Sequence, residues 1–407
     1  MAVFVPFVTP GERIEAEIRQ DKRGFARGTV TSLIEASPDR VEAACPYFHR
    51  CGGCQYQHIS YETQLQCKAS ILRETVRRIA RVELPVELKL HRSPPLGYRN
   101  RTRLRVRTAP EFALGYYRFG SHELMPVKEC PISSPLISTT MAQLIEIQGA
   151  RCPSTVEEIE LFADAGDQRL LVWGFSHRGA DRPQLPRWAE GLIQQVPAIS
   201  GITFFSARHR SEGDAPGGLK PIARVGAAEL FYETGRARYR VSAGAFFQVN
   251  RHLVDDLVST VTGNAGGELA LDLYAGVGLF SIPLARIFDH TFAVEASPIS
   301  HANLVQNAPA NVKAVRAQSE DYLQRRPSRK RPDLVILDPP RAGLGKTVTR
   351  SLVELGAPRI RYVSCDPATL GRDLAPLLAA GYRIEEAHLF DLFPQTFHIE
   401  TVILLAR

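Results

Sequence analysis

From about residue 240 onward the chain repeats one rhythm, a short apolar run followed by a stretch of helical spacing. The runs are ELALDLYA, HTFAVEAS, VKAVRAQ, PDLVILDPP, IRYVSCDP, RIEEAHLFD and ETVILLA. A strand buried on both faces is apolar almost throughout, and helices between such strands serve as crossovers. The rhythm therefore predicts an α/β fold with a parallel, doubly wound sheet. Ligands in such sheets bind beyond the carboxyl ends of the strands, at the switch point of strand order. The residues that follow each run are the ones to examine.

The first run leads into LDLYAGVGLFS, where Asp272, Gly276 and Gly278 form an acidic, glycine-rich turn. The second ends at Glu295, placed to accept hydrogen bonds from a ribose diol. There is one G-x-G and no further glycine at dinucleotide spacing, which disfavours a pyrophosphate-bound cofactor. S-adenosylmethionine fits, because it needs the nucleoside grip without a phosphate cradle. The fourth run ends at Asp338, before two prolines that stiffen the turn. The fifth ends at Cys365, followed at once by Asp366-Pro367. Free cysteines are usually small buried hydrophobes, but this one lies where a strand stops. Glu400 opens the last apolar run, and carboxylates seldom enter a strand core without a partner or a task. His398, two residues earlier, points to the same side.

Those residues form a chemical set. Carbon 5 of a pyrimidine is a poor nucleophile until a thiolate adds at carbon 6 and converts the ring to an enolate. A base must then remove the carbon-5 proton so that the thiolate can leave. Cys365, a methyl donor at Glu295 and a base at Glu400 meet that requirement.

The chain has 7 cysteines, an odd number that argues against a disulfide framework. Cys45, Cys51 and Cys54 stand in CPYFHRCGGCQYQH, where two thiolates two residues apart can reach one metal. Zinc and iron–sulfur clusters both want four ligands. Cys130 is the fourth choice because it repeats the Cys-Pro context of Cys45. Cys152 is next, Cys67 falls in the predicted helix YETQLQCKASILRETVRRI, and His49 and His58 are alternative zinc ligands. Spacing leaves the metal open.

Upstream, residues 1 to about 43 read as a small β module, and a mixed region with many strands follows the cysteine loop and its helix. The net charge is +7, which permits a polyanionic partner. In YRNRTRLRVR, Arg99, Arg101, Arg103, Arg105 and Arg107 alternate, so a strand would carry all five on one face, inviting phosphate. QRRPSRKRPD reads as a solvated basic loop. No apolar run is long enough to span a bilayer, and the N-terminus lacks a basic n-region and a cleavage site, so a cytoplasmic protein is expected.

CGGCQYQH, FFQVN, LDLYAGVGLFS, DPPRAG, SCDPATLGRD and FPQTFHIETV together resemble the RNA 5-methyluridine methyltransferases that carry an iron–sulfur cluster. The resemblance runs in family order from about residue 45 to 407. It implies a Rossmann-like class I methyltransferase domain over 236–407, a central mixed α/β domain over 85–235 and a cluster loop and helix over 44–84. Residues 1–43 resemble a shortened TRAM domain, an OB-like RNA-binding module. The resemblance implies Cys365 as nucleophile and Glu400 as base. It places a [4Fe-4S] cluster on Cys45, Cys51, Cys54 and Cys130, and S-adenosylmethionine on Gln248, Tyr274, Glu295, Gln318 and Asp338. The expected substrate is structured RNA, ribosomal before transfer RNA, acted on by a monomer. Arg341 after Asp-Pro-Pro, where an aromatic would otherwise stand, argues against an adenine-N6 enzyme.

Overall fold

The computed structural model describes residues 1–84, 87–147, 152–177, 183–206, 220–263, 265–325 and 330–407. Of the basic run 324–333, residues 326–329 lie outside the described residues.

All seven apolar runs are strands of one 8-stranded sheet. Across it the order is Val312–Arg316, Phe288–Glu295, Gly267–Leu273, Leu334–Leu337, Arg359–Ser364, Glu400–Ala406, Arg383–Phe390 and Leu88–His91. Every neighbouring pair is parallel except those made by Glu400–Ala406, which runs against both its flanks. Strand order reverses between Gly267–Leu273 and Leu334–Leu337, the expected switch point. The result is the Rossmann-like class I methyltransferase architecture.

Helix starts follow local chemistry. Asp366 accepts a hydrogen bond from the Thr369 amide at 2.7 Å, and Pro367 occupies the first turn of Pro367–Ala379. The strand Arg359–Ser364 therefore stops and a capped helix starts with only Cys365 and Asp366 between them. Helix Tyr61–Ala80, capped by Ser60, packs on Pro367–Ala379, where a Cβ at Gly371 would come within 3.1 Å of Ile79.

One boundary expectation needs correction. Leu88–His91, assigned by sequence to the central region, completes the C-terminal sheet beside Arg383–Phe390. The short run LKLH lacks any local mark of which sheet it will join.

The central region forms a 7-stranded sheet in which Arg101–Arg107 lies between Val156–Ala163 and Ala113–Tyr117. Here the alternating arginines expected to face phosphate meet carboxylates at three of their five positions. Antiparallel register sets Arg103 opposite Glu160 and Arg105 opposite Glu158. Arg103 pairs with Glu160 at 2.5 Å, Arg101 pairs with Glu160 at 3.4 Å, and Arg105 pairs with Glu158. Arg101 also lies over Phe162 and Trp173, at 4.8 and 5.0 Å. Three of the five arginines are thus answered by two carboxylates of the neighbouring strand.

Residues 2–35 form a three-stranded sheet, Ala2–Phe4, Phe25–Glu35 and Arg13–Lys22, rather than a closed barrel among the described residues. It is anchored to the cysteine loop by Phe7, edge-on to Phe48 at 5.4 Å and His49 at 4.7 Å. Arg40 donates to Glu12 at 2.8 Å and holds that carboxyl down at about 2. No helix among the described residues is long and apolar enough to cross a membrane.

Candidate active site

The glycine turn after Gly267–Leu273 is tight. Tyr274, Gly276 and Gly278 have φ of 65°, 58° and 99°, a region that only the glycines enter without strain. The turn brings the Gly276 amide to Glu295 Oε2 at 2.8 Å, while the Ser297 amide donates to Oε1 at 2.6 Å. Both oxygens of Glu295 are thus oriented, each with a lone pair left to accept from a ligand. Burial raises its pKa against these two donors.

Two further carboxyls crowd the same strand ends. Asp338 is pushed up to about 7 by burial, with Glu295 adding repulsion. Asp272 is also pushed up to about 7 by burial, opposed by the Ser281 hydroxyl that donates to it. Sequence reading placed Asp272 in the turn without a role. Three carboxyls short of counter-charge favour a cationic ligand, and a sulfonium is one.

Other expected contacts fall around this end of the sheet. Gln248 is buried, and its backbone carbonyl accepts from Asn100 Nδ2 at 3.0 Å. Phe247 and Leu253 share a core with Val277 and Phe280, which sets that segment against the glycine turn. Gln318 is exposed and precedes helix Ser319–Gln324, whose Ser319 hydrogen-bonds Tyr274.

Across the switch point stand the reactive groups. Ser364 pairs with Thr401 in the antiparallel ladder, so the next residues outward, Cys365 and Glu400, face each other at its end. Glu400 is buried, and burial followed by Asp338 drives its pKa well above the carboxylate range against Arg341. Burial, then Glu400 and Asp338, push the Cys365 thiol up to about 12; Arg341 opposes them. Arg341 Nη2 lies 3.2 Å from Nδ1 of His398, whose pKa is lowered to about 4 mainly by burial. Sequence reading noted Arg341 only as a non-aromatic. Its position three residues after Asp338 was the available signal.

Residues 228–407 match the family described as tRNA (Uracil-5-)-methyltransferase. The chain is 32% identical to the 23S rRNA (uracil(1939)-C(5))-methyltransferase RlmD of Halomonas elongata, over 99% of this chain and 84% of that one. The chain belongs to the RNA uracil-5-methyltransferase family. It is an S-adenosylmethionine-dependent enzyme of that family. An uncharacterized RNA methyltransferase of Aquifex aeolicus is likewise 32% identical, over 99% of this chain and 93% of its own length. Among solved structures, Pyrococcus abyssi tRNA (uracil-54, C5)-methyltransferase in complex with S-adenosyl-L-homocysteine superposes with a TM-score of 0.78. The identity there is 26%, covering 100% of this chain and 96% of that one.

This uracil-5-methyltransferase also gathers its four expected cysteines. Cys45, Cys51, Cys54 and Cys130 line one cavity of about 230 Å³, together with Arg99 and Tyr116. Among the described residues, however, no three His, Cys, Asp or Glu groups converge tightly enough to hold a single ion. Cys152 and Cys67 lie outside the lining, as do His49 and His58. The two histidines pack instead on Phe48, His49 tilted at 4.3 Å and His58 stacked at 5.5 Å. The zinc alternatives are therefore not assembled.

Proposed function

We propose that this enzyme methylates carbon 5 of a uridine in structured ribosomal RNA, with Cys365 as nucleophile and Glu400 as base. The observation that carries the reading is the ladder end, which sets Cys365 and Glu400 side by side next to the carboxyl-rich strand ends. S-adenosylmethionine would be held by Gln248, Tyr274, Glu295, Gln318 and Asp338 and would supply an electrophilic methyl group to carbon 5, its S–CH3 bond breaking and neutral S-adenosylhomocysteine leaving. The target base must leave its stack to expose carbon 6.

The Cys365 thiolate adds to carbon 6 and pushes the C5–C6 electron pair into an enolate, which makes carbon 5 nucleophilic. Glu400 then takes the proton from methylated carbon 5. The released pair re-forms the C5–C6 double bond, the carbon–sulfur bond breaks, and the thiolate returns. A high pKa makes Glu400 a strong base once ionised, and Arg341 is the cation that favours both anions.

We infer a [4Fe-4S] cluster because the four cysteines of the resembling motif line one cavity. Arg99 lines the same cavity and would supply counter-charge to the thiolates. A cluster there would tie the loop 45–54 to Cys130, with no redox step required by methyl transfer. Anaerobic protein should hold about four iron atoms per chain; one bound zinc instead would remove the assignment.

Ribosomal RNA is favoured by the 32% identity to the 23S rRNA enzyme. Transfer RNA is the second reading, favoured by the full-length match to the archaeal tRNA enzyme. Incubation of each RNA with labelled methyl donor, followed by nucleoside mass spectrometry, decides between them. We expect 5-methyluridine in 23S transcripts; label confined to transfer RNA would reverse the choice of substrate.

A further inference from the structure

The loop that leads into Glu400, residues 393–398, contains no regular element among the described residues. It is nevertheless held at three consecutive carbonyls by donors from far upstream. Lys68 Nζ donates to the Phe393 carbonyl at 3.0 Å, and the Tyr98 hydroxyl donates to the Pro394 carbonyl at 3.0 Å. The Gln55 and Tyr56 amides both donate to the Gln395 carbonyl at 2.9 Å. The Gln395 amide donates to Gln64 Oε1 at 3.0 Å, and Gln64 Nε2 donates to Gln395 Oε1 at 3.0 Å. Gln395 itself has φ of 69°, strained for a residue with a side chain.

Loop carbonyls ordinarily face water. Two of these are taken by side chains exposed by 0%, Lys68 and Tyr98, and the Gln395 amide is taken by Gln64, exposed by 1%. Lys68 is further fixed by Asp391 at 2.6 Å. The donors come from helix Tyr61–Ala80, from the segment after Cys54 and from the segment before Arg101–Arg107. Tyr98 is followed by Arg99, which lines the four-cysteine cavity. None of these donors is needed to form the C-terminal sheet.

We propose that this clasp is a positioning device for the base. Gln64 and Tyr98 are positioning residues that hold the 393–398 loop, and through it Glu400 and His398, against Cys365. Because Gln55 and Tyr56 directly follow Cys54, the geometry of the cysteine loop is read out in the placement of the base. Cys365 sits on a different element with its own cap, so the clasp governs release of the adduct and not its formation. The inference rests on the roles proposed for Cys365 and Glu400.

The test separates those two steps with Tyr98→Phe, which removes one hydroxyl, and Gln64→Met, which removes both contacts to Gln395 together with the donations to the Tyr56 and Ile59 carbonyls. RNA carrying 5-fluorouridine traps the adduct without needing the base, since fluorine cannot be removed as a proton. We expect both variants to trap 5-fluorouridine RNA within about twofold of wild type. On uridine RNA their turnover should fall about tenfold to a hundredfold, and a methylated protein–RNA adduct should accumulate on denaturing gels. General destabilisation would lower trapping and turnover together, and that result overturns the clasp. So does wild-type behaviour of the variants in both assays. Wild-type protein that forms no 5-fluorouridine adduct would overturn the covalent reading, and the clasp with it.

Discussion

Two charged constellations in this protein look equally functional by residue type and differ in how their charge is answered. On the strand Arg101–Arg107, the arginines at 101, 103 and 105 meet Glu158 and Glu160 from the next strand. At the strand ends, Asp272, Glu295, Asp338 and Glu400 meet one another, with Arg341 as the cation that opposes them at Glu400. The first set is spent on holding the central sheet and its aromatic core together. In the second, burial drives the carboxyls towards the neutral acid, and a cationic donor would draw them back to the ionised form. Unanswered charge, not charge as such, marks the site.

The contrast can be broken at several points. Cys365→Ala should abolish 5-methyluridine formation, a loss of more than about 10⁴-fold measured by labelled-methyl transfer. Glu400→Gln should cost about 10²–10⁴ in turnover and leave adduct on the gel. It should also raise the melting temperature near neutral pH. A carboxyl raised in the folded state is ionised more readily when unfolded, so stability falls as pH rises above its ordinary pKa, and glutamine removes that penalty. A lower melting temperature would show that Glu400 is satisfied by a partner and is not stored charge.

Glu160→Gln should do the opposite, destabilising the chain by about 3–5 kcal/mol by leaving the buried Arg101 without its carboxylate, as read by denaturant unfolding. With Cys365 raised to about 12, its alkylation by iodoacetamide in the free enzyme should still climb about tenfold per pH unit at pH 9. A plateau below about pH 8 would mean that Arg341 outweighs burial. The smallest expected effect is that of Arg105→Ala, which should leave the salt dependence of RNA binding unchanged. A phosphate contact would instead reduce the slope by about 1.

What was legible in the sequence was local. Seven strands and the residues following them could be read from apolar runs because burial on both faces imposes that composition along a few residues. Cys365 at a strand end was legible for the same reason, since Asp366-Pro367 begins a capped helix by short-range chemistry. The four cysteines were legible because spacing, the Cys-Pro context and the family resemblance pointed to the same residues. The phosphate role expected of the arginine strand left out the partners of Arg101, Arg103 and Arg105. Its alternation was real, but the glutamates that answer it lie more than fifty residues away.

By itself, then, the sequence determined the class of sheet, the order of the reactive residues along it and the chemistry those residue types allow. Tertiary structure alone decided which charges are neutralised and how LKLH joins the C-terminal sheet. It also decided that Gln64 and Tyr98 reach across some three hundred residues to hold the loop before Glu400. The physical reason is range. Strand and helix signals are set by neighbours a few residues apart. Hydrogen bonds and ion pairs between distant segments depend on register and packing, which no local pattern encodes.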